Sequence, residues 1–361
     1  MARPAPPQLL AVAAKVDAAL SALFTDERDT WADLNSVLDV PLADLADFVA
    51  GGGKRIRPAY CHWGWVTAGG DPSGDGAVAS GCALELLHAF ALIHDDVMDG
   101  SSTRRSSPTV WARYLQRHRE GSLRGEARRF AEAAAVLVGD IAIVMADRTL
   151  GDTTPEVRRV WDALRTELNM GQYLDVVGTA AGGVSAADAH TIVRNKTAGY
   201  TIVRPLQLGA ALAGRVDLDE RLSAHGLPLG VAFQLRDDML GVFGEPERTG
   251  KPVGDDLREG KPTVLLALAR SAADESQRAV LATVGATAGA TAHADGGGGV
   301  SDDHIAAVQE VMIETGAVAA VEAEIDQLLV SSLEAIDELP DINGSHAALR
   351  ALADFVVDRD T

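Results

Sequence analysis

Two acidic clusters on apolar stretches hold the chemistry of this chain. The first is Leu92-Ile93-His94-Asp95-Asp96-Val97-Met98-Asp99, and the second is Phe233-Gln234-Leu235-Arg236-Asp237-Asp238-Met239-Leu240-Gly241. Each sets an Asp pair directly after residues patterned like the buried face of a helix. Buried carboxylates are costly unless they are paired or hold a metal. Two such stretches therefore point to two helices presenting carboxylates to one shared site. Hard oxygen ligands suit Mg²⁺, and Mg²⁺ suits a diphosphate. On a helix Asp95 and Asp99 are four apart and share a face. Asp96 points about 100° away and is expected to support them or take part less directly. A solvated acidic patch is the plainer reading, but negative charge at a helix C-terminus is mildly unfavourable. In the second cluster Asp237 and Asp238 repeat the pair, while Gly241 stands where a further acid would fall, so this cluster has fewer ligands.

An anion in a chain of net charge −20 needs cations placed locally. Gly53-Lys54-Arg55-Ile56-Arg57-Pro58 is a dense basic segment after a glycine turn, where backbone and cations approach an anion closely. It lacks the Gly-Lys-Ser/Thr of a P-loop. Arg104-Arg105 follows the first cluster, within reach of a metal-held phosphate, and arginine suits bidentate phosphate contact. Lys251 and Lys261, each in a Gly-Lys-Pro setting after the second cluster, are compact charges for phosphate oxygens. His88 lies two helical turns before Asp95 on nearly the same face. A lone His in an apolar helix is more often a satisfied core residue than a ligand. Lys196-Thr197, and Gln172 with Asp175, interrupt two further helical patterns and are weak signals alone.

These groups need a scaffold, and the composition supplies a helical one. The 361 residues are 47% hydrophobic and only 4% aromatic, a balance that favours packed helices over strands. Residues 1–8 are Pro-rich and expected to fray. Helical spacing runs from about 9 to 50, from 56 to 68, from 77 to 99, over 110–119, 125–150, 154–177 and 188–213, and from 220 to 243. Residues 100–109 read as a loop, as do 244–262. Residues 285–300 are low in complexity and read as a flexible Gly-rich loop. Two or three helices follow. No strand-rich region stands out, so the expectation is all-α, a single domain over residues 1–361. The acidic charge argues against nucleic acid and anionic lipid as partners. Cys61 and Cys82 lie in apolar surroundings without metal-ligand spacing, as buried free thiols of a reducing compartment. No stretch is expected to span a membrane, and a cytoplasmic enzyme fits best.

In order along the chain, Gly-Gly-Lys-Arg-Ile-Arg-Pro at 52–58, the acidic motif at 95–99, Arg104-Arg105, Gly171-Gln172-Tyr173-Leu174-Asp175, Lys196-Thr197-Ala198, Phe233-Gln234 with Asp237-Asp238, and the Gly-Lys pairs at 250–251 and 260–261 resemble the trans-isoprenyl diphosphate synthases, the polyprenyl synthetases. The resemblance implies the isoprenoid synthase fold, an all-α bundle around a deep central cavity, and a homodimer. It implies head-to-tail condensation of isopentenyl diphosphate with an allylic diphosphate of C5 to C15. By matching position, Asp95, Asp99 and Asp237, with Asp96 beside them, would hold Mg²⁺. Arg104, Lys196, Gln234, Lys251 and Lys261 would contact the allylic diphosphate. Lys54, Arg57, His88 and Arg105 would bind isopentenyl diphosphate, and Thr197 with the Lys196 carbonyl would face the allylic cation.

Two departures stand out: Ser106 replaces the Gly of the family's Arg-Arg-Gly, and Gly241 replaces the last Asp of its second motif. The resemblance also places product length beneath the first motif. There Phe90, with Ala91 beside it, would floor a cavity sized for geranylgeranyl (C20) product, with farnesyl (C15) the near alternative. Phe90→Ala should then lengthen products. A class I terpene cyclase would leave Lys54, Arg57, His88 and Arg105 without a task. A non-catalytic subunit would be expected to have lost acids that this chain keeps.

Overall fold

In the computed structural model, which describes residues 4–244, 254–285 and 301–357, these residues are overwhelmingly helical. The chain runs α1 (Pro7–Leu34), α2 (Asp39–Ala50), α3 (Ile56–Thr67) and α4 (Val78–Asp99). A minimal hairpin, β1 (Thr103–Arg104) with β2 (Ser107–Pro108), leads to α5 (Val110–Glu120), α6 (Ala127–Leu150) and α7 (Pro155–Ala180). Then come α8 (Ala186–Ile192), a π-helical segment (Val193–Val203), α9 (Arg204–Leu212) and α10 (Asp219–Phe243). The short α11 (Asp255–Glu259) precedes α12 (Val264–Ala272), α13 (Glu275–Leu281), α14 (Asp302–Glu314), α15 (Ala317–Ile336) and α16 (Ser345–Val357).

Two hydrophobic clusters build the core. One gathers α1, α2 and α4 to α7 around Leu45, Leu84, Leu87, Ile93, Trp161 and Leu164. The other gathers the C-terminal helices around Leu229, Leu235, Val264, Met312, Ile325 and Leu352. Helices α3 and α9 serve both, with Tyr60 and Leu206 in one cluster and Cys61 and Leu208 in the other. They touch backbone to backbone through glycines. A Cβ on Gly64 would lie 2.2 Å from the Leu206 carbonyl oxygen, and one on Gly209 would lie 1.9 Å from that of Cys61. Glycine permits that approach.

Several boundaries differ from expectation. Helix α1 begins at Pro7, a residue suited to a first helical turn, and Leu9 is already buried; fraying therefore does not reach residue 8. The pattern read as continuous over 9–50 breaks at Asn35, whose side chain accepts a bond from the Val37 amide. The loop at 100–109 closes as the hairpin. Its two turn residues, Arg105 and Ser106, have φ of 53° and 60°, the geometry of a tight two-residue turn. The expectation about membrane spans is also corrected: α1 and α4 are each long and apolar enough to cross a membrane by length and composition. Over half of the α4 window is buried within the protein, and its last turns carry the acidic motif. Lys251 and almost all of the 285–300 loop lie outside the described residues.

Candidate active site

The floor plan of the site follows from where the helices end and break. The last turns of α4 carry Asp95 and Asp99. The hairpin after it returns Arg104 and Arg105 to the same space. The π-helical segment, widened by one residue per turn, turns Lys196, Thr197 and Tyr200 inward; such segments recur at functional positions. Helix α10 brings Gln234, Asp237 and Asp238, and the turn after α11 brings Lys261. Apart from Asp99, these side chains line a cavity of about 740 Å³. Lys54, Arg57, His88, Ala91, Asp95, Arg104, Arg105, Lys196, Thr197, Gln234, Asp237 and Lys261, twelve of the residues singled out by sequence, are all on its wall.

At one end lie the acids and their cations. Lys196 Nζ sits 2.6 Å from Asp175 and 3.4 Å from Asp95. Lys261 Nζ sits 2.7 Å from Glu259, 3.4 Å from Asp256 and 3.7 Å from Asp99. Gln172 donates to Asp95 at 3.0 Å. Burial opposes the charge on Asp95, yet Lys196, Lys261 and Arg104 hold its carboxyl well below the usual carboxylate range. Asp99 goes the other way: burial, then the Asp95 charge, push it up to about 7. Burial and the nearby Asp256 charge likewise raise Asp238 well above its ordinary value. Burial would depress Lys196, but Asp95 and Asp175 outweigh it and keep the ammonium charged. Lys261 is held charged against burial in the same way by Asp256, Glu259 and Asp99.

At the other end lies a second cationic group. Arg57 stacks over the Tyr200 ring, 4.1 Å from its centroid, and donates to Thr201 Oγ1 at 3.0 Å. The Tyr200 hydroxyl meets His88 Nδ1 at 2.7 Å. Burial, then the charges of Arg57 and Arg105, hold His88 well below its ordinary value, so its ring is neutral at pH 7. Lys54 stands over Phe355. Arg55, buried between Lys54 and Arg57, is clamped by Glu85 at 2.6 Å, Asp17 at 2.7 Å and the Val49 carbonyl at 2.8 Å. That clamp holds the glycine turn at a set distance from α4. Between the two ends, Thr197 donates to Gln234 at 2.7 Å, and Gln234 donates to Asp238 at 2.7 Å.

Three expected residues stand off the wall: Asp99, which faces Lys261 Nζ at 3.7 Å, Asp96 and Phe90. Asp96 is buried off the cavity wall, and its Oδ1 accepts from Arg104 Nε at 2.8 Å. Its helical phase turns it from the face of Asp95 and Asp99 toward Arg104, which it orients. Phe90 is half-buried beside the cavity, its ring 4.6 Å from that of His94, while Ala91 and Leu92 meet the open space. Sequence reasoning missed Tyr200, Asp256 and the Arg55–Glu85 clamp. Tyr200, four positions after Lys196, carried a helical-face signal. Asp256 carried none that spacing alone would separate from a solvated loop acid.

The donor chemistry fits a hard divalent cation. Asp95, Asp99 and Asp237 offer only oxygens, the hard donors such a cation takes. Among the described residues no three His, Cys, Asp or Glu side chains converge in ligand geometry; the lysines stand between the carboxylates.

A helical fold with a cavity that sets acids beside cationic side chains suits a diphosphate-handling enzyme. The chain belongs to the polyprenyl synthetase family, whose model matches residues 41–294. A crystal structure of geranylgeranyl pyrophosphate synthase from Corynebacterium glutamicum, complexed with isoprenyl diphosphate and magnesium, superposes with a TM-score of 0.86 at 39% identity, covering 95% of this chain and 97% of that one. The (2E,6E)-farnesyl diphosphate synthase of Mycobacterium tuberculosis is 33% identical over 85% of this chain and 80% of its own. The geranylgeranyl diphosphate synthase of the same species is 34% identical over 69% and 68%.

Proposed function

We propose that this enzyme condenses isopentenyl diphosphate head-to-tail with allylic diphosphates and releases geranylgeranyl diphosphate. The observation that carries the reading is the pair of cationic groups at two ends of one cavity. A cyclase needs one diphosphate site; this cavity is built for two. Arg104, Lys196 and Lys261 receive the allylic diphosphate, with Lys251 assigned to the same task by its position in the motif. Lys54, Arg57 and Arg105 receive that of isopentenyl diphosphate. Neutral His88 adds a hydrogen bond there without a further charge.

Asp95, Asp99 and Asp237 would hold Mg²⁺, which supplies charge neutralisation to the departing diphosphate. Lys196 and Lys261, kept charged by their carboxylates, stabilise the same developing charge. Thr197, oriented by Gln234, faces the electron-poor allylic carbon. The alkene of isopentenyl diphosphate forms the new C–C bond as the allylic C–O bond breaks. The proton then lost passes to the released diphosphate.

Preference for C20 over C15 rests on likeness to the Corynebacterium enzyme, which spans nearly the whole chain. We assign the chain to one domain, a homodimer and the cytoplasm; Cys61 and Cys82 are buried free thiols, as suits a reducing compartment. Product analysis tests the reading. The purified enzyme, given isopentenyl diphosphate, Mg²⁺ and C5, C10 or C15 primers, should yield a C20 alcohol after dephosphorylation and lose activity in EDTA. A C15 product would move the chain-length assignment. Cyclic hydrocarbon made without isopentenyl diphosphate would overturn the transferase.

A further inference from the structure

The second acidic motif lacks its last carboxylate, because position 241 is glycine. The space that a side chain there would enter is filled from elsewhere in the chain. A Cβ on Gly241 would lie 2.0 Å from Oδ2 and 2.6 Å from Cγ of Asp256. The Asp256 carboxylate thus occupies the volume in which a side chain at 241 would begin, and the bare glycine leaves it that room. Asp256 belongs to α11, bracketed by Gly254 at φ 70° and Gly260 at φ 72°. Those left-handed turns, easy for glycine, fold the short helix down onto the end of α10. The Asp256 carbonyl accepts from the Lys261 amide at 3.0 Å, and its carboxylate faces Lys261 Nζ at 3.4 Å. Asp237, Asp238, Gly241 and Asp256 all line the cavity.

We propose that Asp256 replaces the carboxylate absent from position 241, reaching across the bare Gly241 to serve the cation and diphosphate that Asp237 serves. The proposal rests on the diphosphate reading of this cavity. A carboxylate delivered by α11 differs from one fixed on α10 in one respect. It arrives together with Lys261, so the acid that would engage a cation and the ammonium that would engage a phosphate close on the ligand as one unit. A metal-assisted diphosphate needs both at once.

Binding separates this proposal from the transferase reading. Mn²⁺ and inorganic diphosphate serve as the probe, followed by electron paramagnetic resonance and by titration calorimetry on the full-length chain. Asp256→Asn keeps the shape and removes the charge, and it should weaken Mn²⁺ binding in the presence of diphosphate by about tenfold or more. Moving the acid back, in Gly241→Asp combined with Asp256→Ala, should recover most of that loss. Far-UV circular dichroism matching the parent checks folding, and the Asn variant stands if the double variant fails to fold. Parent-like Mn²⁺ affinity in Asp256→Asn would overturn the proposal, as would a folded double variant no tighter than Asp256→Ala alone. If the parent chain bound Mn²⁺ and diphosphate but joined no isopentenyl unit, the transferase would fall while the binding comparison still decided the role of Asp256.

Discussion

The smallest features of the site make the sharpest tests. Ser106 takes a left-handed φ of 60° in the turn that aims Arg104 inward and Arg105 toward the second cationic group. Non-glycine residues pay for that region roughly 1–2 kcal/mol, while glycine gives back about 0.5–1 kcal/mol in chain entropy. Ser106→Gly should therefore raise stability by about 0.5 kcal/mol or leave it level, seen as a small Tm increase, with kinetics unchanged. Ser106→Val, β-branched and ill-suited to positive φ, should raise KM for isopentenyl diphosphate severalfold while sparing KM for the allylic primer. Equal changes in both constants would show that the turn does not aim Arg105. Chain length makes a second residue-scale test. Ala91 meets the cavity one helical turn below Asp95, while Phe90 lies off its wall against His94. Ala91→Phe should shorten the main product by at least one isoprene unit, and Phe90→Ala should change it less. A product shift in Phe90→Ala alone would return the floor to Phe90, where the sequence reading had put it.

At the scale of elements, legibility tracked how local the cause was. Helices α3, α4, α6, α7 and α10 were readable because apolar spacing and a Gly or Pro boundary settle each within its own residues. The π-helical segment at 193–203 was not: it packs closely on another element, so that a Cβ on Gly230 of α10 would lie 2.5 Å from the Ala198 Cα. Motif order found Lys196 and Thr197, while spacing could not orient them. Asp256 over Gly241 was hidden for the same reason: the contact joins two elements. Another such contact carries a pH test. His225 of α10 is fully buried against Ser332 of α15, its Nδ1 3.1 Å from the Ser332 carbonyl oxygen. Burial lowers its pKa from 6.5 to about 4. A histidine depressed in the folded state binds its proton first in the unfolded one. Its contribution is thus intact above about pH 6.5 and lost as pH falls toward 4, by roughly 2–3 kcal/mol. Urea unfolding of the parent and His225→Asn from pH 7.5 to 4.5 should show the parent losing that much more stability. Parallel pH profiles would remove His225 from the acid response.

At the scale of the whole molecule, the exposed apolar faces of two helices bear on assembly. Helix α6 packs Ala131, Ala135, Val138, Ala142 and Met145 into the core, yet its opposite face repeats Phe130, Leu137 and Val144 every seventh residue, with Leu137 62% and Val144 64% exposed. Helix α7 likewise exposes Met170, Tyr173, Leu174 and Val177 at helical spacing. A helix apolar on both sides is covered on both sides, and exposed apolar faces of this kind mark an association surface. The sequence read residue by residue did not separate these positions from core, because both faces of α6 look alike until the fold assigns one of them inward. A second copy of the chain is the occupant proposed above for the homodimer. Charge adds a condition: each copy carries −20, so association must overcome repulsion that salt screens within about 8 Å at physiological ionic strength. Sedimentation velocity should therefore find a dimer of the 37.7 kDa chain that tightens as salt rises. Leu137→Asp with Val144→Asp, which leaves the inward face of α6 untouched, should sediment as a folded monomer at micromolar concentration. A parent that sediments as a monomer at every salt concentration would assign the strip to some other partner. A dimer indifferent to both substitutions would place the interface elsewhere on the molecule.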